Sequence, residues 1–180
     1  SYNTFMNILG LDISTSFVGM CLLENNTIKY IDAIDLRKEE NLFLKASHMK
    51  RVLEDYKSKY IINEIYVEQS LNAFRPGLSS AQVLVLLSKF NGIVSWLCYE
   101  TFGIQPQYIG ATTARKSIGI TVHRGENSKE IVLKNVLDAE KNFPVEYTKL
   151  GNPKAGTYDK ADAYLIAKAA HLLCLQNQKK

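Results

Sequence analysis

Proline and glycine are scarce in this sequence, four and ten residues among 180. That excludes collagen-like and low-complexity architectures. The longest uninterrupted apolar runs, such as residues 83–87, fall far short of the roughly 20 residues of a membrane-spanning helix, so no membrane association is expected. Residues 1–10 lack a basic stretch followed by an apolar core, so they do not read as a secretion signal. Cysteine is equally sparse. Cys21, Cys98 and Cys174 lie far apart, with no Cys-x-x-Cys spacing and no His/Cys set that would hold zinc. They are expected to be small buried hydrophobes, which suits a reducing, intracellular compartment.

What remains is an ordinary globular composition, 46% hydrophobic and 22% charged. The length fits one domain spanning residues 1–180. The charge is uneven. Residues 1–106 hold 10 Lys+Arg and 11 Asp+Glu, whereas residues 107–180 hold 12 and 7. A basic second half is compatible with a polyanionic partner and equally with a solvated basic face.

The first third reads as strands over 7–12, 17–23 and 27–35, with a turn at Glu24-Asn25-Asn26. These predict a three-stranded antiparallel meander. Helical spacing follows from Leu42 to Tyr60, then a short strand over 64–68 and a loop over 69–78. A long helix to Phe102 is expected, with Ser79 or Ser80 as its cap. Leu84, Val85, Ile93 and Trp96 widen its apolar stripe beyond what one core needs, which predicts a second packing partner, with Leu84, Val85 and Ser88 as contacts on the off-core side. A fifth strand is expected over 105–109, helices over 112–118, 128–141 and 158–175, a basic loop over 119–126, and irregular chain over 142–157. The fold class is therefore α/β, a mixed sheet of five strands covered by helices.

Four carboxylates hold telling positions. Asp12 ends the first strand, Glu68 ends the fourth, and Asp159 and Asp162 open the last helix three residues apart, on one face. If the two strands are neighbours, Asp12 and Glu68 reach the same sheet edge. Convergent acids repel one another, and a bound cation relieves that repulsion. Oxygen-only ligation suits Mg²⁺, with Mn²⁺ as a substitute, and two such ions form a phosphodiester-cleaving clamp. Individually each acid has a plainer use: Asp159 complementing a helix dipole, Asp12 and Glu68 sitting in turns. An acid pair also serves glycosidases, but the chain is short for a sugar cleft and has a single Trp.

The motifs Gly10-Leu11-Asp12, Val67-Glu68-Gln69 and Asp159-Lys160-Ala161-Asp162-Ala163 resemble, in order and spacing, those of the RuvC-type Holliday junction resolvases. The resemblance spans nearly the whole chain. It implies a ribonuclease H-like fold with helices on both faces of the sheet. It also implies a homodimeric crossover junction endodeoxyribonuclease that nicks opposing strands of four-way DNA, with two Mg²⁺ held by Asp12, Glu68, Asp159 and Asp162. Basic residues that would meet DNA are Arg115, Lys116, Arg124 and Lys129, and Leu71, Phe74 and Arg75 would reach the junction centre. Asp12-Ile13-Ser14 replaces the Asp-Pro-Gly of cellular bacterial members. The expected source is thus a divergent, phage-type version acting in the cytoplasm of a bacterium or an infected host cell, and partnership with the branch-migration motor is doubtful. Rival readings are a general branched-DNA or flap nuclease, a branched-DNA-binding module that does not cut, and an actin-like sugar kinase. The last would need a second domain and a second phosphate loop.

Overall fold

In the computed structural model, residues 6–70 and 80–180 are described. Five strands form one sheet, β1 (Asn7–Ile13), β2 (Phe17–Glu24), β3 (Thr27–Asp35), β4 (Glu64–Glu68) and β5 (Gln107–Ile109), in the order β3-β2-β1-β4-β5. The pairs β1–β2 and β2–β3 are antiparallel, while β1–β4 and β4–β5 are parallel. The expected meander is present. Its second turn is made by Asn25 and Asn26 with φ of 49° and 67°, the backbone of a tight two-residue hairpin that Asn tolerates well.

The strand period of two sorts the sequence into two layers. On one face Leu9, Leu11, Val18, Met20, Ile65 and Val67 pack with α1 (Leu42–Lys59) and α2 (Ala81–Phe102). On the other, Ile8, Cys21, Leu23 and Tyr66 pack with α3 (Ala111–Ser117), α4 (Ser128–Ala139) and α5 (Thr157–Gln178). The three cysteines are buried and unpaired. Burial pushes the Cys98 thiol up to about 12, which makes it a core side chain rather than a nucleophile.

Strand β5 begins two residues later than the sequence suggests. Pro106 lacks the N–H a paired strand needs, and pairing runs only from Gln107 to Ile109. Helix α4 stops at Ala139 because Glu140 is extended. Ser80 caps α2, its hydroxyl accepting from the Val83 amide at 3.2 Å. Residues 142–157 are not irregular throughout. Thr148 N donates to Asn152 O at 2.7 Å and Lys154 N to Glu146 O at 2.9 Å, a small hairpin with Tyr147 bridged to Pro153.

By length and composition α2 could cross a bilayer; counting only uninterrupted apolar residues misses this. Phe90, Val94, Leu97 and Cys98 nonetheless pack into the core, and the same buried face carries the polar Asn91 and Ser95. The outer face presents Val85, Ser88, Gly92, Trp96 and Tyr99, all exposed. Val85 and Ser88 are thus where the sequence put them. Leu84 is not: a step of about 100° per residue turns it from this outer face toward the cleft described next.

Candidate active site

Strand parity aims the first two acids. Ile8, Gly10 and Asp12 point to the α5 side of β1, and Tyr66 and Glu68 to the same side of β4. The strands are parallel neighbours, with Leu11 opposite Val67, so both carboxylates leave the sheet at one edge. A Cβ on Gly10 would lie 2.7 Å from the Ala163 oxygen, and one on Gly19 would lie 2.1 Å from the Asp159 oxygen. Only glycines let the α5 backbone come this close. With the helix pressed onto the sheet, its first turns deliver Asp159 and Asp162 to the strand ends.

All four acids line one cleft of about 690 Å³, with Ser14, Asn91, Thr112, Arg115 and Lys129 on its walls. Asp12 is buried, 8% exposed. Its carboxyl is raised well above the usual carboxylate range, first by loss of solvent, then by the charge of Glu68 and a hydrogen bond with it, then by Asp162 and Asp159. Asp162 is pushed up to about 7 by burial and by Glu68, with Lys129 and Arg115 pulling the other way. Asp159 is raised by burial, against the attraction of Lys129. The acids therefore share one electrostatic environment, in which Asp12, Asp159 and Asp162 all have raised proton affinity. Among the described residues, no group of three or more His, Cys, Asp or Glu side chains is drawn together tightly enough to be a preformed metal centre. The donor set is wholly carboxylate oxygen, which suits a hard divalent cation.

The basic residues divide. Arg115, which donates to Thr112 Oγ1 at 3.3 Å, and Lys129, in the first turn of α4, face the cleft. Lys116 and Arg124 are exposed and are not among the residues lining it. One turn of α3 cannot aim adjacent side chains at one spot, and Arg124 sits in the loop before α4. Leu71, Phe74 and Arg75 lie outside the described residues. Sequence reasoning missed Ser14, Gln69, Thr112 and Asn91. Asn91 left one signal, a lone amide within the apolar face of α2.

Neither a protein-family model nor a curated protein sequence matches the chain. Solved structures do. The chain is similar to Thermus thermophilus RuvC in complex with a Holliday junction substrate, with a TM-score of 0.70 and 13% identity over 95% of this chain and 96% of that one. It is also similar to the yeast mitochondrial Holliday junction resolvase Ydc2, with a TM-score of 0.60 and 15% identity over 97% and 83%. The described residues thus have the ribonuclease H-like fold of these proteins, as the three motifs imply.

Proposed function

We propose that this protein is a divalent-metal-dependent endonuclease that resolves four-way DNA junctions. The observation that carries the reading is the convergence of Asp12, Glu68, Asp159 and Asp162 from three separate elements on one cleft flanked by Arg115 and Lys129. Buried acids with raised proton affinity are costly to a fold. Their joint retention is accounted for when they hold cations.

In this reading Arg115 and Lys129 seat the phosphate backbone and offset its charge at the cleft. The four carboxylates hold two Mg²⁺, or Mn²⁺ in its place. When bound, the ions lower the pKa of the attacking water and stabilise the leaving oxygen. Gly10 and Gly19 keep α5 pressed to the sheet, so that Asp159 and Asp162 stay aimed at the scissile bond. Paired nicks on one junction call for two sites related by a twofold axis. The exposed outer strip of α2, with Val85, Gly92, Trp96 and Tyr99, supports a homodimer joined through that helix. The unpaired buried cysteines fit a cytoplasmic setting, bacterial or in an infected host.

The test is a nicking assay on a synthetic four-way junction, against matched duplex, flap and three-way substrates, with Mg²⁺ and with EDTA. Metal-dependent, symmetric cutting of the four-way junction is expected. Preference for the flap would make the protein a general branched-DNA nuclease. Tight junction binding with no metal-dependent cutting would make it a binding module.

A further inference from the structure

Asn91 is the one amide in the inner face of α2. It is buried, 7% exposed, on the wall of the acid cleft. Asn is a poor helix former, and burying its amide costs free energy unless its hydrogen bonds are met. Leucine at this position would pack without that cost. The amide is used: Nδ2 donates to the Glu68 main-chain carbonyl at 3.1 Å, and Oδ1 accepts from Ser95 Oγ at 3.5 Å.

The Glu68 carbonyl needs this donor. Pairing between β1 and β4 ends at Leu11 opposite Val67, so Glu68 lies past the last paired position on the β1 side. On the other side Glu68 pairs with Ile109 of β5, and Gln69 N donates to Ile109 O at 2.9 Å. The end of β4, which carries a cleft carboxylate, is therefore held by the edge strand β5 on one side and by the Asn91 amide of α2 where β1 pairing has ended. The next residue along α2, Gly92, lies on the opposite face, where an added Cβ would meet nothing within 4 Å. Trp96, on that same face, is 57% exposed. One helix thus carries an exposed apolar face on its outside and the tether to Glu68 on its inside.

We propose that Asn91 is a positioning residue for Glu68 and that it couples the assembly face of α2 to the divalent-cation affinity of the acid cleft. This rests on the reading of the cleft as a metal-dependent nuclease site. A shift of α2 when a second copy docks would move Asn91 and, with it, the Glu68 main chain. The coupling is reciprocal, so cation binding would in turn favour the dimer.

The test uses the full chain with Asn91→Leu, which keeps shape and removes the donor, and Asn91→Ala as a second variant should the first fold poorly. Mn²⁺ binding is measured directly by calorimetry, alongside the Mg²⁺ dependence of nicking, the melting temperature and junction affinity in EDTA. The expected result is a dissociation constant for Mn²⁺ about tenfold weaker and a matching rise in the Mg²⁺ needed for half-maximal nicking, a larger change than any in junction affinity in EDTA. Trp96→Lys should also weaken Mn²⁺ binding in the wild-type background and add nothing on top of Asn91→Leu. A variant with a lower melting temperature but wild-type Mn²⁺ affinity would overturn the positioning role. Equal effects of Trp96→Lys in both backgrounds would overturn the coupling. A wild-type protein that neither binds Mn²⁺ nor nicks DNA would overturn the nuclease reading itself, and this inference with it.

Discussion

Gly19→Ala probes whether close approach of α5 is what aims the acids. A Cβ at residue 19 would sit 2.1 Å from the Asp159 carbonyl oxygen and 2.6 Å from its carbonyl carbon. Both are main-chain atoms, so no rotamer change relieves the clash. Reaching 3.0 Å, below which real Cβ contacts essentially never occur, means moving the first turn of α5 by the difference between 3.0 and 2.1 Å. That turn carries Asp159, with Asp162 three residues on. Overpacking of this kind costs about 1–3 kcal/mol. For a chain of this size that lowers the melting temperature by roughly 2–12 °C. The effect on chemistry should be larger, because a displacement near 1 Å can cost about 100-fold in rate. The assay is single-turnover nicking of a labelled four-way junction at saturating Mg²⁺, run well below the variant's melting temperature, with junction affinity measured in EDTA. Gly10→Ala is the comparison. Its Cβ would press on the Ala163 oxygen and the Ala167 nitrogen, each at 2.7 Å, main chain that follows Asp162 rather than the carbonyl of an acid itself. It should lose similar stability and less of the cleavage rate. Wild-type cutting by Gly19→Ala would refute the reasoning, since the acids would then tolerate a helix that has moved.

Asp12→Asn, Glu68→Gln, Asp159→Asn and Asp162→Asn should each abolish Mg²⁺-dependent nicking while sparing junction binding; a cutting Glu68→Gln protein removes that residue from the site. The pH dependence has a definite sign. Folded Asp162 keeps its proton up to about 7, against an ordinary value of 3.8, so the wild-type metal-free protein loses this group's contribution to stability as pH rises from about 4 to 7. The stability advantage of Asp162→Asn should therefore grow across that window in denaturant melts, and a constant difference would count against it. Replacing Arg115 or Lys129 by Ala should make the salt dependence of junction binding shallower by about one unit per lost phosphate contact, with smaller changes for Lys116 and Arg124; an unchanged slope in the quadruple variant would put the contact surface elsewhere. Val85→Glu or Trp96→Lys should convert a sedimenting dimer to monomer and paired cuts to independent nicks, whereas a wild-type chain that is monomeric with and without junction DNA would refute the assembly.

The convergence of the acids on one cleft was legible because strand parity and helix spacing are local rules: Asp12 and Glu68 each end an apolar strand, and Asp159 and Asp162 are about one helical turn apart. The element order was legible for the same reason, with Asn25-Asn26 and Ser80 marking a turn and a cap. Directions set by tertiary placement were not. Arg115 and Lys116 are adjacent, and only the packing of α3 against α5 decides which one faces the cleft. Leu84 belongs to an apolar run whose two faces are alike in composition, so its side depends on where α2 leaves the core. Asn91 sits in a stripe that reads as core, and its partner is a main-chain carbonyl that no side-chain pattern reveals. The hairpin near residues 146–154 is held by main-chain bonds and a Thr148 side-chain contact, which leave no hydrophobic period to read.

The raised proton affinities of the cleft make protons and cations competitors for the same oxygens. Asp162 is pushed up to about 7 and Asp12 is raised well beyond its usual range. If the cleft takes Mg²⁺ as proposed, loading would be an exchange reaction that releases hydrogen ions to the solvent. The heat measured for loading should accordingly vary with the ionisation enthalpy of the buffer, and its slope against that enthalpy counts the protons expelled. In the nuclease reading, acidification would favour protons over cations at these oxygens and lower the metal occupancy of the cleft.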